Sequence, residues 1–416
     1  MARRLRVGIV GGSIGGCTAA AELLRAGHDV TIFERSVGAL QGRGAGIGTP
    51  TPTFDLLVQR ELVGADTPRT RLTIHSLAGI DPSGDAAGRA SLELPLDMVT
   101  LHWKDLWGEL RARIPEGCYL GGSHVTRVVG TDTTTPGLAL DDGSQHDFDL
   151  VVFADGYTSV GRSRLFPDST LEYRGYVLWR GLLPESQVAD PRPLEERLYR
   201  FSLPRLHGNA VFYFVPGEDG SVAVGERYVN WAHYVPVSPE DLPDFLIDKD
   251  GQRHATSLPP GGMRPDAEAE LKELLVDHLP PYFAELTSIT DGTFAQPIYT
   301  YRPTAYRRGR VCLIGDAGSV VPPFTGSGVF KASKNAIDLA AALADAEHLD
   351  QALEKWSDTE TEAAHRLAAL GDQMEQAFVW AAPDLGTMSA DEARTWWTDS
   401  ISFPEDFTYI AAKDHR

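Results

Sequence analysis

Apolar and polar positions change period several times along the chain, and the changes mark out its elements. Leu5-Arg-Val-Gly-Ile-Val10 is a short continuous apolar strand, and Gly11 to Gly16 a glycine-rich turn. Cys17 to Ala26 follows as a small-residue helix and His28 to Phe33 as a second strand, a βαβ start. A second glycine-rich loop, 42–48, leads into a helix near Pro52 to Leu62. Residues 71–96 have the turn residues of a hairpin insertion, and Trp103 to Ile114 has helical spacing. The apolar strand Leu150-Val-Val-Phe-Ala154 runs straight into Asp155-Gly156.

Between Glu172 and Tyr234 the period becomes two, with many aromatics. Tyr176–Arg180, Ala210–Val215 and Ser221–Gly225 read as strands of an antiparallel sheet. Alternation puts Tyr176, Leu178 and Arg180 on one face, Val177 and Trp179 on the other. Asp266 to Leu279 is an amphipathic helix, and strands return at Phe294–Tyr301 and Arg310–Ile314. Two long helices close the pattern, Gly328–Ala344 and about Leu349–Trp380. An aromatic segment with Trp396, Trp397, Phe403, Phe407 and Tyr409 follows and needs a surface to cover.

Composition narrows the classes. A formal net charge of −20 makes nucleic acid and anionic membranes poor partners. Three scattered cysteines suit a reducing compartment and neither a disulfide framework nor a metal cluster, so no metal is expected. The apolar run after Arg3, Arg4 and Arg6 is too short for a secretory signal, and no run approaches the ~20 residues of a membrane span. A cytoplasmic protein is expected.

The first motif is Gly11-Gly-Ser-Ile-Gly-Gly16, with Ser13 where a second glycine usually lets backbone approach a pyrophosphate. Serine is small enough for that place and can donate a hydrogen bond. The following helix N-terminus offers amide donors to an anion, at Ile14 among others. Glu34 closes the second strand 23 residues after Gly11, where an acidic side chain would hold a ribose hydroxyl pair. Asp155 and Gly315-Asp316 stand at the ends of two more buried strands, where α/β folds present ligand contacts.

In this order the three motifs resemble those of the FAD-dependent aromatic hydroxylases, the group A flavoprotein monooxygenases. The sequences Tyr173-Arg-Gly-Tyr-Val-Leu-Trp-Arg-Gly181 and Gly225-Glu-Arg-Tyr-Val-Asn-Trp-Ala-His-Tyr234 look like the 2,6-dihydroxypyridine 3-hydroxylase branch, as does Trp103. The resemblance spans nearly the whole chain. It implies a glutathione-reductase-type, Rossmann-like α/β domain for FAD, an inserted antiparallel β-sheet substrate domain and C-terminal helices. The expected cofactor domain covers 1–70, 97–171 and 287–380, the substrate domain 71–96 and 172–286, and the aromatic C-terminal segment 381–416.

The family's roles carry over residue by residue. Gly11, Ser13, Ile14, Gly16, Glu34 and Arg35 would hold the dinucleotide, with Asp155, and Arg43 would contact it from the second glycine loop. Gly315 and Asp316 would take the ribityl chain. Gly326, Ser327, Gly328 and Val329 would offer amides to the pyrimidine side of the ring. Pro322 and Pro323 would stand at the oxygen site, and Tyr176, Arg180 and Tyr213 would complete the catalytic set. Ser319 and Phe330 replace the family's His and Asn. His207, His233 and Tyr234 are candidates for binding or deprotonating a phenol, and Lys331 receives no role.

The implied reaction is NADH- or NADPH-dependent hydroxylation of a phenol or hydroxylated heteroaromatic by dioxygen, through a flavin C4a-hydroperoxide. Alternatives keep FAD for epoxidation or Baeyer–Villiger chemistry, or replace turnover by flavin sensing. The aromatic C-terminus either packs over the pocket or forms a homodimer contact.

Overall fold

The computed structural model describes residues 4–38, 40, 46–259, 261–344 and 346–403. Arg43, Phe407 and Tyr409 lie outside the described residues. No helix among those described is long and apolar enough to cross a membrane.

The β-branched, fully buried runs form the expected parallel sheet. Its strand order is Arg307–Arg308, Val311–Leu313, Leu150–Phe153, Arg6–Val10, Asp29–Glu34 and Tyr119–Gly121, and only the first of these runs antiparallel to its neighbour. Register decides what this sheet can do. Val10 pairs with both Phe33 and Phe153, and Phe153 with Leu313, so three distant turns leave the sheet side by side at its carboxyl edge. The helices Ile14–Arg25 and Gly328–Ala344 cover one face, burying Cys17, Leu23, Ala336 and Leu339 among others.

The second layer is one eight-stranded sheet in the order Phe294–Thr300, Glu172–Pro184, Tyr228–Pro236, Gly208–Val215, Arg197–Leu203, Thr70–Gly79, Arg89–His102, Gly46–Pro50. It is antiparallel throughout except where Arg197–Leu203 runs parallel to Thr70–Gly79. The 71–96 hairpin thus joins the 172–234 sheet, together with Gly46–Pro50 and Phe294–Thr300 from stretches read above as cofactor domain. Arg197–Leu203 is a strand the sequence reading missed. A small three-stranded sheet, Val125–Val129, Gly137–Leu140 and Gln145–Asp147, was not anticipated either.

The strand expected at Ser221–Gly225 is a turn instead. Asp219 Oδ1 accepts from the Ser221 N–H and Ser221 Oγ from the Ala223 N–H, so side chains take the donors that a ladder would use. Val222 and Val224 are exposed there. The long helix ends as α at Glu375 and continues as a π turn, Gln376–Trp380.

The C-terminal segment has the cover it needed. Ser389 and Glu392 form a reciprocal capping box that starts the helix Ala390–Ser400. Trp397 then packs against Phe378 and edge-on to His75, in the core that includes Leu72, Leu198 and Tyr213.

Candidate functional site

The three strand-end turns open into one cavity of about 580 Å³ lying between the two sheets. At its first turn Gly11 has φ +100°, and an added Cβ would lie 2.5 Å from the Ala154 carbonyl oxygen. Gly16 packs so closely that its Cβ would fall 1.9 Å from the Gly11 oxygen. Gly16 therefore permits the turn without lining the cavity. The Gly12 N–H donates to Glu34 Oε2 at 2.9 Å, while the Gly12 carbonyl accepts from Trp107 Nε1 at 2.8 Å and from the Tyr119 hydroxyl. A trans peptide sets its N–H opposite its carbonyl. Holding that carbonyl on Trp107 fixes the orientation of the Ser13 N–H. Ser13 and Ile14 line the cavity, and the Ser13 hydroxyl makes no capping bond to the helix.

Glu34 is buried at the cavity wall, its other oxygen accepting from the Ser36 N–H at 2.8 Å, and Arg35 lines the wall beside it. Asp155 Oδ2 accepts from the Val160 N–H at 2.8 Å, and its buried Oδ1 has no partner among the described residues. Burial pushes this carboxyl above its ordinary pKa, against the opposing hydrogen bonds from Ser159 and Val160. Arg162, also buried, donates to the carbonyls of Asp316 and Ala317 and so ties the second turn to the third.

At the third turn Asp316 Oδ1 accepts from Lys331 Nζ at 2.8 Å, and the same ammonium donates to the Ser319 carbonyl. Lys331 lines the cavity with only 5% of its side chain exposed, whereas that of Asp316 is about half exposed. Pro322, Pro323 and Phe324 follow, then Gly326 at φ +60° turns the chain into the helix that starts at Gly328. Ser327, Gly328 and Val329 line the cavity where the first-turn amides of that helix have no intrahelical acceptors.

The second sheet closes the other side. Leu178, Leu198, Val211 and Ala232 give an apolar wall, and Arg180, Arg200, Tyr213 and Tyr234 stand among them. Arg200 is buried, its Nε donating to His75 Nε2 at 3.3 Å and one Nη to Asn209 Oδ1 at 2.9 Å. Its guanidinium lies 4.4 Å above the Phe378 ring. Desolvation and the neighbouring Arg200 charge hold His75 neutral, its pKa well below the ordinary value. Arg180 donates to the Gly46 carbonyl at 2.6 Å.

A NAD(P)-binding Rossmann-like domain family matches residues 9–55, and a FAD binding domain-like family matches residues 173–300. The 2,6-dihydroxypyridine 3-monooxygenase of Paenarthrobacter nicotinovorans is 28% identical over 379 residues, 86% of this chain and 88% of that one. The aurachin C monooxygenase/isomerase of Stigmatella aurantiaca is 29% identical over 94% of this chain and 97% of its own. The solved 2,6-dihydroxypyridine-3-hydroxylase of Arthrobacter nicotinovorans superposes with a TM-score of 0.84 at 24% identity, covering 99% of this chain and 97% of its own. The chain is similar to the FAD-dependent aromatic hydroxylases in sequence and in fold, as its motifs implied. It is a flavoprotein monooxygenase with FAD as cofactor, and the flavin-sensing alternative is set aside.

The residues present fit FAD. The close glycine packing at Gly11, the uncapped Ser13, the partnerless Asp155 oxygen and the Lys331–Asp316 pair all border one cavity. That cavity is of the size ligand pockets have. Three of the residues named from the sequence lie away from this cavity. Tyr176 does not line the cavity: it sits behind Phe324, its hydroxyl donating to Glu375 Oε2 at 3.2 Å. His233 points to the opposite face of the sheet, bonded to Thr287, and burial lowers its pKa to about 3. His207 caps an exposed hairpin turn, away from the cavity.

The two departures from the family pattern lie outside the main cavity. Ser319 pairs with the Tyr306 hydroxyl at 2.8 Å, and Phe330 faces a separate small cavity.

Lys331 and Arg200 are the residues that sequence reading missed. Lys331 had a signal, since a lysine one turn into an otherwise apolar-faced helix must find a carboxylate or remain exposed. Because the ammonium fixes Asp316, Lys331→Met is expected to weaken FAD binding about tenfold, at the low end for a charge-assisted hydrogen bond beside a half-exposed carboxylate. Titration of apoprotein with FAD by flavin fluorescence reads this, and an unchanged dissociation constant would remove Lys331 from the site.

Proposed function

We propose that the chain hydroxylates a phenolic or hydroxylated heteroaromatic small molecule, using NADH or NADPH as reductant and dioxygen as oxidant. A single observation carries this reading. One continuous cavity runs from the nucleotide turns to a sheet face that presents Arg200, Tyr213 and Tyr234 among aliphatic side chains.

FAD, when bound, supplies dioxygen activation after reduction by the nicotinamide. The chain's own residues do the rest. Ser13 and Ile14 would offer amides to the pyrophosphate, Glu34 would take the ribose, and Asp316, steadied by Lys331, would take the ribityl hydroxyls. Gly326 to Val329, at the positive end of a 17-residue helix, would hold the ring by its pyrimidine edge and would favour negative charge there. Pro322 and Pro323 have no N–H, so this backbone offers the oxygen site only carbonyls. Leu178, Leu198, Val211 and Phe324 exclude water from the reacting atoms.

Arg200 anchors the substrate's hydroxylate or ring oxygen, with neutral His75 and Asn209 holding the guanidinium in place. Tyr213 and Tyr234 share the same wall and supply further hydrogen bonds to the substrate.

The purified protein, yellow with FAD, is expected to oxidise NADH or NADPH faster when a suitable phenol or hydroxypyridine is added. Product analysis should find one oxygen atom added to the ring, the other leaving as water. Bound FAD that neither nicotinamide reduces, or consumption that no member of such a panel stimulates, would contradict the proposal.

A further inference from the structure

The Gly315–Ala317 turn is held from behind by a chain of groups that the motifs and the chemistry above leave unused. The Gly315 N–H donates to Asn335 Oδ1 at 2.9 Å, and Asn335 Nδ2 donates to Glu360 Oε2 at 2.5 Å. Trp356 Nε1 donates to the Asn335 carbonyl at 3.3 Å. Glu360 is 2% exposed, and its Oε1 has no partner among the described residues. Asn335 and Glu360 share the wall of a cavity of about 60 Å³ with Tyr306, Lys331, Lys334 and Arg366. This cavity lies apart from the main one, and Lys331 borders both.

We propose that Glu360 is a positioning residue of the FAD site, acting through the Asn335 side chain to fix the Gly315 amide and the turn that carries Asp316. The inference rests on the reading of the main cavity as the FAD site. An ionised carboxylate only accepts hydrogen bonds, whereas a carboxamide has one donating and one accepting end. Ionised Glu360 therefore draws the NH2 of Asn335 toward itself and leaves the oxygen to face Gly315. Protonated Glu360 presents either an O–H or a C=O. The constraint on Asn335 then lapses, and a flipped amide would set its NH2 against the Gly315 N–H.

Burial, adjusted by the charges around Glu360, places this change near neutrality. Lys334 and Asp338, paired with each other, face it from the helix Gly328–Ala344. Tyr306, whose hydroxyl is bonded to Ser319, and the cations Lys331 and Arg366 border the small cavity. Burial foremost, aided by Asp338 and opposed by Lys334, pushes the Glu360 carboxyl up to about 7. Ionisation rises with pH, so the turn is better fixed, and FAD is held more tightly, on the alkaline side.

Apoprotein is titrated with FAD by flavin fluorescence from about pH 5.5 to about 8.5, spanning a shifted carboxyl. The wild-type dissociation constant is expected to fall about fivefold across that window, the difference between a charge-assisted and a neutral hydrogen bond. In Glu360→Gln and in Asn335→Ser the same window should be flat, because each cuts the link between proton and turn. If the wild type binds FAD and both variants keep its pH profile, or if the wild-type profile is itself flat, the role of Glu360 is overturned. A wild type that binds no FAD at any pH overturns the cofactor reading, and this inference with it.

Discussion

Replacing Gly11 with valine is expected to give a protein that retains no FAD and unfolds more readily than the wild type. Two costs combine at this position. The backbone has φ +100°, a region a β-branched residue enters only under strain, and the new Cβ would press on the Ala154 carbonyl and the Asp155 nitrogen. Both obstacles are backbone of the adjacent strand, so relief requires the first two turns to part. The loss should exceed roughly 3 kcal/mol of stability. Gly27→Ala is the control, since Gly27 has φ +87° but nothing within 4 Å of the added carbon. That variant should lose about 1 kcal/mol and stay yellow. Thermal unfolding and the flavin absorption of the purified variants check both, and a yellow Gly11→Val protein of wild-type stability would contradict the account of this turn.

The second large effect concerns the other wall. Arg200→Met keeps most of the side-chain volume between His75, Asn209 and Phe378 but removes the guanidinium's permanent charge and its several donors. With Arg200 binding the substrate's hydroxylate, kcat/KM should fall about a hundredfold, as for a lost hydrogen bond to a charged group. FAD affinity should stay as it is, because Arg200 stands on the sheet and not on the nucleotide turns. If kcat/KM is unchanged while FAD affinity falls, Arg200 belongs to the cofactor side of the cavity and the orientation proposed here is wrong.

The middle of the parallel layer was legible because its central strands are buried and write short apolar runs, as in Leu150–Phe153. The turns after those strands carry Gly11, Asp155 and Asp316, so the residues that meet at one end of the cavity could be read with the fold. The substrate wall was harder. Its strands alternate, and alternation states which residues share a face without stating which face meets the cavity. Tyr176, Leu178 and Arg180 do share one, yet Phe324, arriving from a loop about 150 residues later, covers Tyr176 and leaves the other two at the wall.

Arg197–Leu203 escaped notice because Arg197 and Arg200 break its apolar pattern, and Arg200 went with it. In Ser221–Gly225 a genuine alternation misled, since Asp219 and Ser221 claim the amides that a strand would share with a neighbour. The Glu360–Asn335–Gly315 chain has no motif at all: its members lie 20 and 25 residues apart and meet only once the two long helices pack.

A crystal structure of the FAD-loaded protein tests the central claim most directly. Its density should run from Glu34 past Ser13 and Asp316, with the ring between the Pro322–Val329 turn and the face that carries Arg200 and Tyr213. A dinucleotide bound away from any of the three strand ends, or a ring that does not reach the cavity beneath the sheet, would contradict it.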